Sequence, residues 1–205
     1  MTIKAVLFDG DGVIINSEKF SIPYQKKFNV PVDEITPFFK GEFKECIVGK
    51  ADLVKLIQPW LQKWKWKGSP EEFLEFWFKA EHNIDERIIK IIITLRKAGI
   101  KCYLATNQEK YRIKYMKEQM GFEELFNDIF ASAEIGHKKP DTKFYEFILN
   151  KIKKEHHILP NEIMFFDDTL MHVEEARKLN IEAYVYKNFK DFKTKIDSIL
   201  KSNKK

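Results

Sequence analysis

Ala5-Val6-Leu7-Phe8-Asp9-Gly10-Asp11-Gly12-Val13 stands close to the start of this 205-residue chain. Its first four residues are a short apolar run, the pattern of a buried strand. The run stops at two acids one residue apart, set among glycines. Acids held that close and away from water raise each other's pKa unless a cation or hydrogen bonds keep them ionised. Two readings follow from these residues alone. They are hard oxygen ligands suited to Mg²⁺, one of them able to act as a nucleophile, or they are the turn after a strand, with acids that cap a helix.

Working outward, four later runs resemble the first, each separated from the next by a helical pattern. Lys101–Ala105 stops at Thr106-Asn107, and a weaker run, Asp128–Ala133, leads to Gly136-His137-Lys138-Lys139-Pro140-Asp141. Glu162–Phe166 stops at Asp167-Asp168-Thr169, and Glu182–Tyr186 closes the series. Strands alternating with helices predict a parallel sheet covered on both faces. In such sheets ligands bind beyond the carboxyl ends of the strands. The polar residues of this chain gather at those ends repeatedly, which scattered helix capping does not predict.

The stretch 17–84 reads differently. It has no clear strand, and prolines and glycines break it at Pro23, Pro31, Pro37, Gly41, Gly49, Gly68 and Pro70. The spacing predicts amphipathic helices over 51–64 and 70–81, the second opened by the start signal Ser69-Pro70-Glu71-Glu72. A helical block inserted after the first strand reads as a cap over the ligand edge. The organisation expected is therefore a core built from 1–16 and 85–205 and a helical cap domain, 17–84. Trp60, Trp64 and Trp66 lie in one lysine-rich patch. Packing between cap helices is their first reading and a substrate wall the second, with Gly49-Lys50-Ala51 as a further substrate-contact candidate.

Hydrophobic residues make up 44% and charged residues 33%, an ordinary globular composition. The net charge of +5 equals the excess of seven lysines over two aspartates in 187–205. A lysine-rich closing helix and tail whose aromatic placement does not suggest base stacking reads as a solvated face, so no nucleic-acid partner is expected. Cys46 and Cys102 form no disulfide framework and no metal-ligand spacing. No apolar stretch is long enough to span a membrane and no secretory signal is apparent, so a cytoplasmic protein without membrane partners is the expectation. Oligomeric state is not legible.

Taken together, Phe8-Asp9-Gly10-Asp11-Gly12-Val13-Ile14, Thr106-Asn107, Lys139-Pro140-Asp141 and Phe166-Asp167-Asp168-Thr169 resemble, in order and spacing, the four motifs of the haloacid dehalogenase superfamily. The resemblance implies a Rossmann-like doubly wound α/β fold with an inserted small helical cap. It further implies a Mg²⁺-dependent phosphatase that hydrolyses a small phosphorylated metabolite through an aspartyl-phosphate intermediate. Asp9 would be the nucleophile. Asp11 would protonate the leaving alcohol and then activate water, and its backbone carbonyl would also bind the metal. Thr106 and the amide of Asn107 would donate hydrogen bonds to phosphoryl oxygens. Lys139 would lie against the nucleophile and a phosphate oxygen. Asp168 would bind Mg²⁺ directly, with Asp9, and Asp167 directly or through water.

Lys139 is chosen over Lys138 because it directly precedes Pro140, which holds it extended at the start of a helix. Asp141 then stabilises that helix N-terminus. The chain departs from many members in having Phe166 where they carry a glycine. None of the five histidines, His82, His137, His156, His157 and His172, is assigned a catalytic role. A dehalogenase would not need Asp11. A phosphomutase of the same fold keeps every motif, and a catalytically silent binding module would have lost one.

Overall fold

Each apolar run becomes a strand because helices cover it on both sides. In the computed structural model, which describes residues 2–202, the strands are β1 (Ala5–Phe8), β2 (Lys101–Thr106), β3 (Asp128–Ala131), β4 (Ile163–Asp167) and β5 (Glu182–Val185). Residues 203–205, the end of the lysine-rich tail, lie outside the described residues. Among those described, the strands form one parallel sheet in the order β3-β2-β1-β4-β5. Alternate residues face opposite layers. Val6, Phe8, Cys102, Leu104, Met164 and Phe166 pack against α6 (Glu86–Lys97), α7 (Lys110–Glu118) and α12 (Phe189–Ser202). Ala5, Leu7, Tyr103, Ala105, Ile163 and Phe165 pack against α10 (Thr142–His156) and α11 (Leu170–Lys178). Strands buried on both faces read as continuous apolar runs, which is why they were visible in the sequence. Short α8 (Phe122–Leu125) and α9 (Ser132–Ile135) complete this part of the chain.

β1 occupies the centre, with β2 and β3 on one side and β4 and β5 on the other. The crevice at such a switch point opens at the carboxyl end of β1. The register is tight there: Phe8 lies opposite both Leu104 and Phe166, and Asp9 N–H donates to Phe166 O at 2.9 Å. β4 runs one residue further than the pattern suggests, so Asp167 is the last strand residue rather than the first of the loop.

Between β1 and α6 the chain forms an inserted helical cap: α1 (Ser21–Phe28), α2 (Val32–Lys40), α3 (Phe43–Ile47), α4 (Leu53–Lys63) and α5 (Pro70–Ala80). These helices bury a separate cluster around Phe20, Tyr24, Phe38, Trp64, Phe73 and Trp77. The helix starts are set by side chains. Asp52 accepts from Lys55 N at the start of α4, and Ser69 and Glu72 form a reciprocal capping box at the start of α5.

The cap meets the core in several places. Its entering and leaving segments pair as an antiparallel bridge, Ile15 with Ile84, reinforced by Asn16 N–H to Asn83 O and Asp85 N–H to Ile14 O. Further off, Lys110 pairs with Asp52 at 2.6 Å and Ser132 Oγ–H donates to Ile47 O at 2.6 Å. Among the described residues, no helix is long and apolar enough to cross a membrane.

Candidate active site

Four strand ends and loops supply the site. Asp9 follows β1; its Oδ1 accepts from Gly10 N–H at 2.7 Å and from Lys139 Nζ at 2.8 Å. Both contacts fall on one oxygen, which leaves Oδ2 unencumbered by them. Lys139 also donates to Asp167 Oδ2 at 2.6 Å and lies over the Phe165 ring at 5.6 Å. Asp167 spends its other oxygen on Thr169 N–H at 2.8 Å and His172 Nδ1 at 2.9 Å. Asp9, Thr106, Lys139 and Asp167 are buried, whereas Asp11 and Asp168 present surface to solvent.

Asn107 explains how Lys139 is aimed. Its side chain donates to Lys139 O at 3.0 Å and accepts from Lys139 N–H at 2.8 Å, clamping that backbone to the end of β2. The helix-start argument for Lys139 therefore needs correction. Pro140 does not enter the first turn of α10, because Asp141 is the N-cap, accepting from Lys143 N–H at 3.0 Å. The Lys139–Pro140 peptide bond is cis. It is the amide clamp of Asn107, one strand earlier in the chain, that presents the ammonium to Asp9.

The Asp11 loop turns back at Gly12, with φ +79, and passes so near β4 that a Cβ there would stand 2.2 Å from Asp168 Oδ2. Only glycine meets both conditions at little cost. Gly12→Ala is expected to cost about 1–2 kcal/mol in backbone strain alone. For a chain of this size that corresponds to a melting temperature lower by about 2–8 °C, read by thermal denaturation.

Burial and crowding set the acidities. Burial, with Asp167 and Asp11 nearby, pushes the Asp9 carboxyl up to about 8 despite the opposing pull of Lys139. Asp11, which lines the cavity, is also raised, chiefly by desolvation. Asp167 is buried as well, but the hydrogen bond from His172 and the charge of Lys139 outweigh that and hold it at about 2. Burial alone would lower Lys139, yet the two carboxylates it bonds raise it. Lys139 therefore stays charged.

Asp9, Asp11 and Lys139 floor a cavity of about 680 Å³ whose roof is the cap. Thr106, Asn107 and Asp168 line the floor; Phe20, Ile35, Phe39, Trp77 and Glu81 line the roof. Trp60, Trp64 and Trp66 do not line it and instead pack between the cap helices, the first of the two readings. Trp64 is fully buried in the cap cluster, with Nε1 donating to Glu34 O, while Trp60 and Trp66 bond Glu42 and Ser69 O. Gly49 instead abuts the core, where a Cβ would stand 2.3 Å from Ala133 O. The structure also adds residues to which the sequence reading gave no role. His172 faces the cavity and bonds Asp167, Gln108 donates to Asp11 Oδ2, and Arg112 donates to Phe78 O and Glu81 O at the end of α5. The one available signal was position: Gln108 directly follows Thr106-Asn107, and His172 lies in the first turn of the helix after Asp167-Asp168.

The family model described as haloacid dehalogenase-like hydrolase matches residues 3–180. The chain belongs to the haloacid dehalogenase-like hydrolases. Among curated members similar to it, D-ribitol-5-phosphate phosphatase of Bacteroides thetaiotaomicron is 24% identical over 210 residues, covering 98% of this chain and all of the relative. A crystal structure of a haloacid dehalogenase family enzyme from the same organism superposes with a TM-score of 0.79 at 21% identity, covering 95% of this chain and 98% of that one. That enzyme in complex with magnesium and inorganic phosphate gives a TM-score of 0.73 at 21% identity, over 90% and 94% of the two chains. The doubly wound sheet and the helical insert are thus the fold of this haloacid dehalogenase-like hydrolase.

Proposed function

We propose that this hydrolase is a Mg²⁺-dependent phosphatase that cleaves a small phosphomonoester through an aspartyl-phosphate on Asp9. The observation that carries the reading is the placement of Asp9. Its Oδ1 is tied to Lys139 and Gly10, Oδ2 is left for attack, and a second carboxylate, Asp11, lines the same cavity. The named activity of the relative from B. thetaiotaomicron supports it.

Phosphate binding and attack follow from the same groups. Thr106 and the main-chain N–H of Asn107, at the end of β2, donate to the phosphoryl oxygens. Lys139 offsets the repulsion between an anionic nucleophile and an anionic ester. Oδ2 of Asp9 bonds to phosphorus while Asp11 delivers its proton to the departing oxygen. Asp11, then ionised, takes a proton from the water that hydrolyses the acyl phosphate.

The donor set fits a hard divalent cation. Asp9, Asp11, Asp167 and Asp168 gather four carboxyls around one directly bonded ammonium, an excess of negative charge in a partly buried space. Asp9, Asp168 and the main-chain carbonyl of Asp11 would hold Mg²⁺. Asp167, both of whose oxygens have protein partners, would act through water. When bound, the ion neutralises carboxylate and phosphoryl charge and favours the ionised nucleophile.

The cavity extends well beyond a phosphate, so an organic leaving group lies under the cap, taken here as 17–84 over a core of 1–16 and 85–205. Phosphate release from aryl, sugar and polyol phosphates, with Mg²⁺ and with a chelator, tests the reading. We expect release that falls at least about tenfold on chelation and returns with excess Mg²⁺. Intact esters across all three classes would overturn it.

A further inference from the structure

Resting on the phosphatase reading, we infer that Gln108 is a positioning residue that orients Asp11 for proton delivery to the leaving group. Asp11 sits on the loop after β1 and lines the cavity. Among the described residues, one hydrogen bond reaches its carboxyl: Gln108 Nε2–H donates to Oδ2. Gln108 itself is buried, 8% exposed, and its backbone is pinned where Gln108 O accepts from Ala133 N–H at 3.2 Å and from Ser132 Oγ–H at 3.3 Å. The donor is thus held by the core, not by the cap.

The chemistry follows from the geometry of a carboxylic acid. With Oδ2 committed as an acceptor, the transferable proton resides on Oδ1, and rotation about the Cβ–Cγ bond is stopped. As the bond from Asp9 to phosphorus forms and the phosphorus–oxygen bond of the ester breaks, the Oδ1 proton passes to that oxygen. A neutral amide holds the carboxyl without adding the charge a lysine would bring.

The test is the dependence on leaving group. For Gln108→Leu and the isosteric Gln108→Glu, kcat/KM is measured with Mg²⁺ on p-nitrophenyl phosphate, phenyl phosphate and butyl phosphate. This parameter reports the step that forms the phospho-enzyme. General acid catalysis supplies about 10²–10⁴-fold, so misorienting the acid is expected to lower kcat/KM on butyl phosphate by roughly ten- to hundredfold. The loss on p-nitrophenyl phosphate, whose phenolate departs without a proton, is expected to stay within about threefold. A loss equal across all three esters would mark a merely structural role and overturn the proposal, as would no loss at all. Gln108→Glu gives the same discrimination should Gln108→Leu fold poorly. A parent chain that cleaves none of the esters would remove the phosphatase reading and this proposal together. Turnover in the parent with a uniform loss in the variants removes this proposal alone.

Discussion

The Asp9→Asn variant is expected to fold and to release phosphate at least about 10⁴-fold more slowly than the parent chain, the scale on which loss of a covalent nucleophile is felt. An amide keeps the shape of the side chain and can still accept from Gly10 N–H and Lys139, but it offers no anionic oxygen to phosphorus. The fold survives because Lys139 keeps its 2.6 Å bond to Asp167, and because burial already disfavours the ionised form of Asp9. Two measurements check this. Steady-state phosphate release gives the rate, and acid-quenched protein incubated with a labelled phosphomonoester carries covalent phosphate only when Asp9 is present. Asp9→Ala, which cannot regenerate a carboxylate, should behave alike. A variant retaining more than about one per cent of parent turnover would rule out Asp9 as the nucleophile.

Lys139→Met is expected to damage stability and turnover together. Lys139 is 2% exposed and its ammonium bonds two carboxylates, so its removal leaves Asp9 and Asp167 without the cation between them. Breaking a buried ion pair from one side costs about 3–5 kcal/mol, or roughly 6–20 °C in melting temperature for a chain of this length. Turnover is expected to fall at least about 10³-fold, since the cation also shields the attack of one anion on another. A double-mutant cycle separates the two effects. Adding Asp167→Asn removes one of the stranded charges and should restore much of the melting temperature, while turnover stays lost. An unchanged melting temperature in Lys139→Met would contradict the buried contacts of Lys139 with Asp9 and Asp167.

The sheet was legible because its strands are buried on both faces, and a run such as Ala5–Phe8 or Ile163–Asp167 has no polar partner face to blur it. The helix start at Ser69 was legible because capping is local chemistry, settled within three residues, whereas at Asp141 the stabilising role was legible and the starting residue was not. What lay hidden depends on contacts between loops far apart in the chain. The clamp of Asn107 on Lys139 spans 32 positions and the bond from Gln108 to Asp11 spans 97, and neither leaves a periodic trace. The lining of the roof was not legible for a related reason. Trp60, Trp64, Trp66 and Trp77 look alike in sequence, and only the packing of α4 and α5 decides which ring reaches the cavity. Phe166, the residue standing in place of a glycine, turns inward to stack on Phe8 and pack against Phe192. It is part of the core, not of the loop.

The paired crossing at Ile15 and Ile84 has a bearing on how such a molecule can diversify. The chain leaves the sheet and comes back through neighbouring points, so whatever lies between them is a cassette with its two ends already side by side. Lengthening or swapping a cassette of this kind adds little closure entropy, which grows only as the logarithm of loop length. It also leaves the register of β1 against β2 and β4 untouched. Floor and roof are therefore separable units of design: the four acids and the lysine can stay as they are while a transplanted roof offers a new leaving group a different shape.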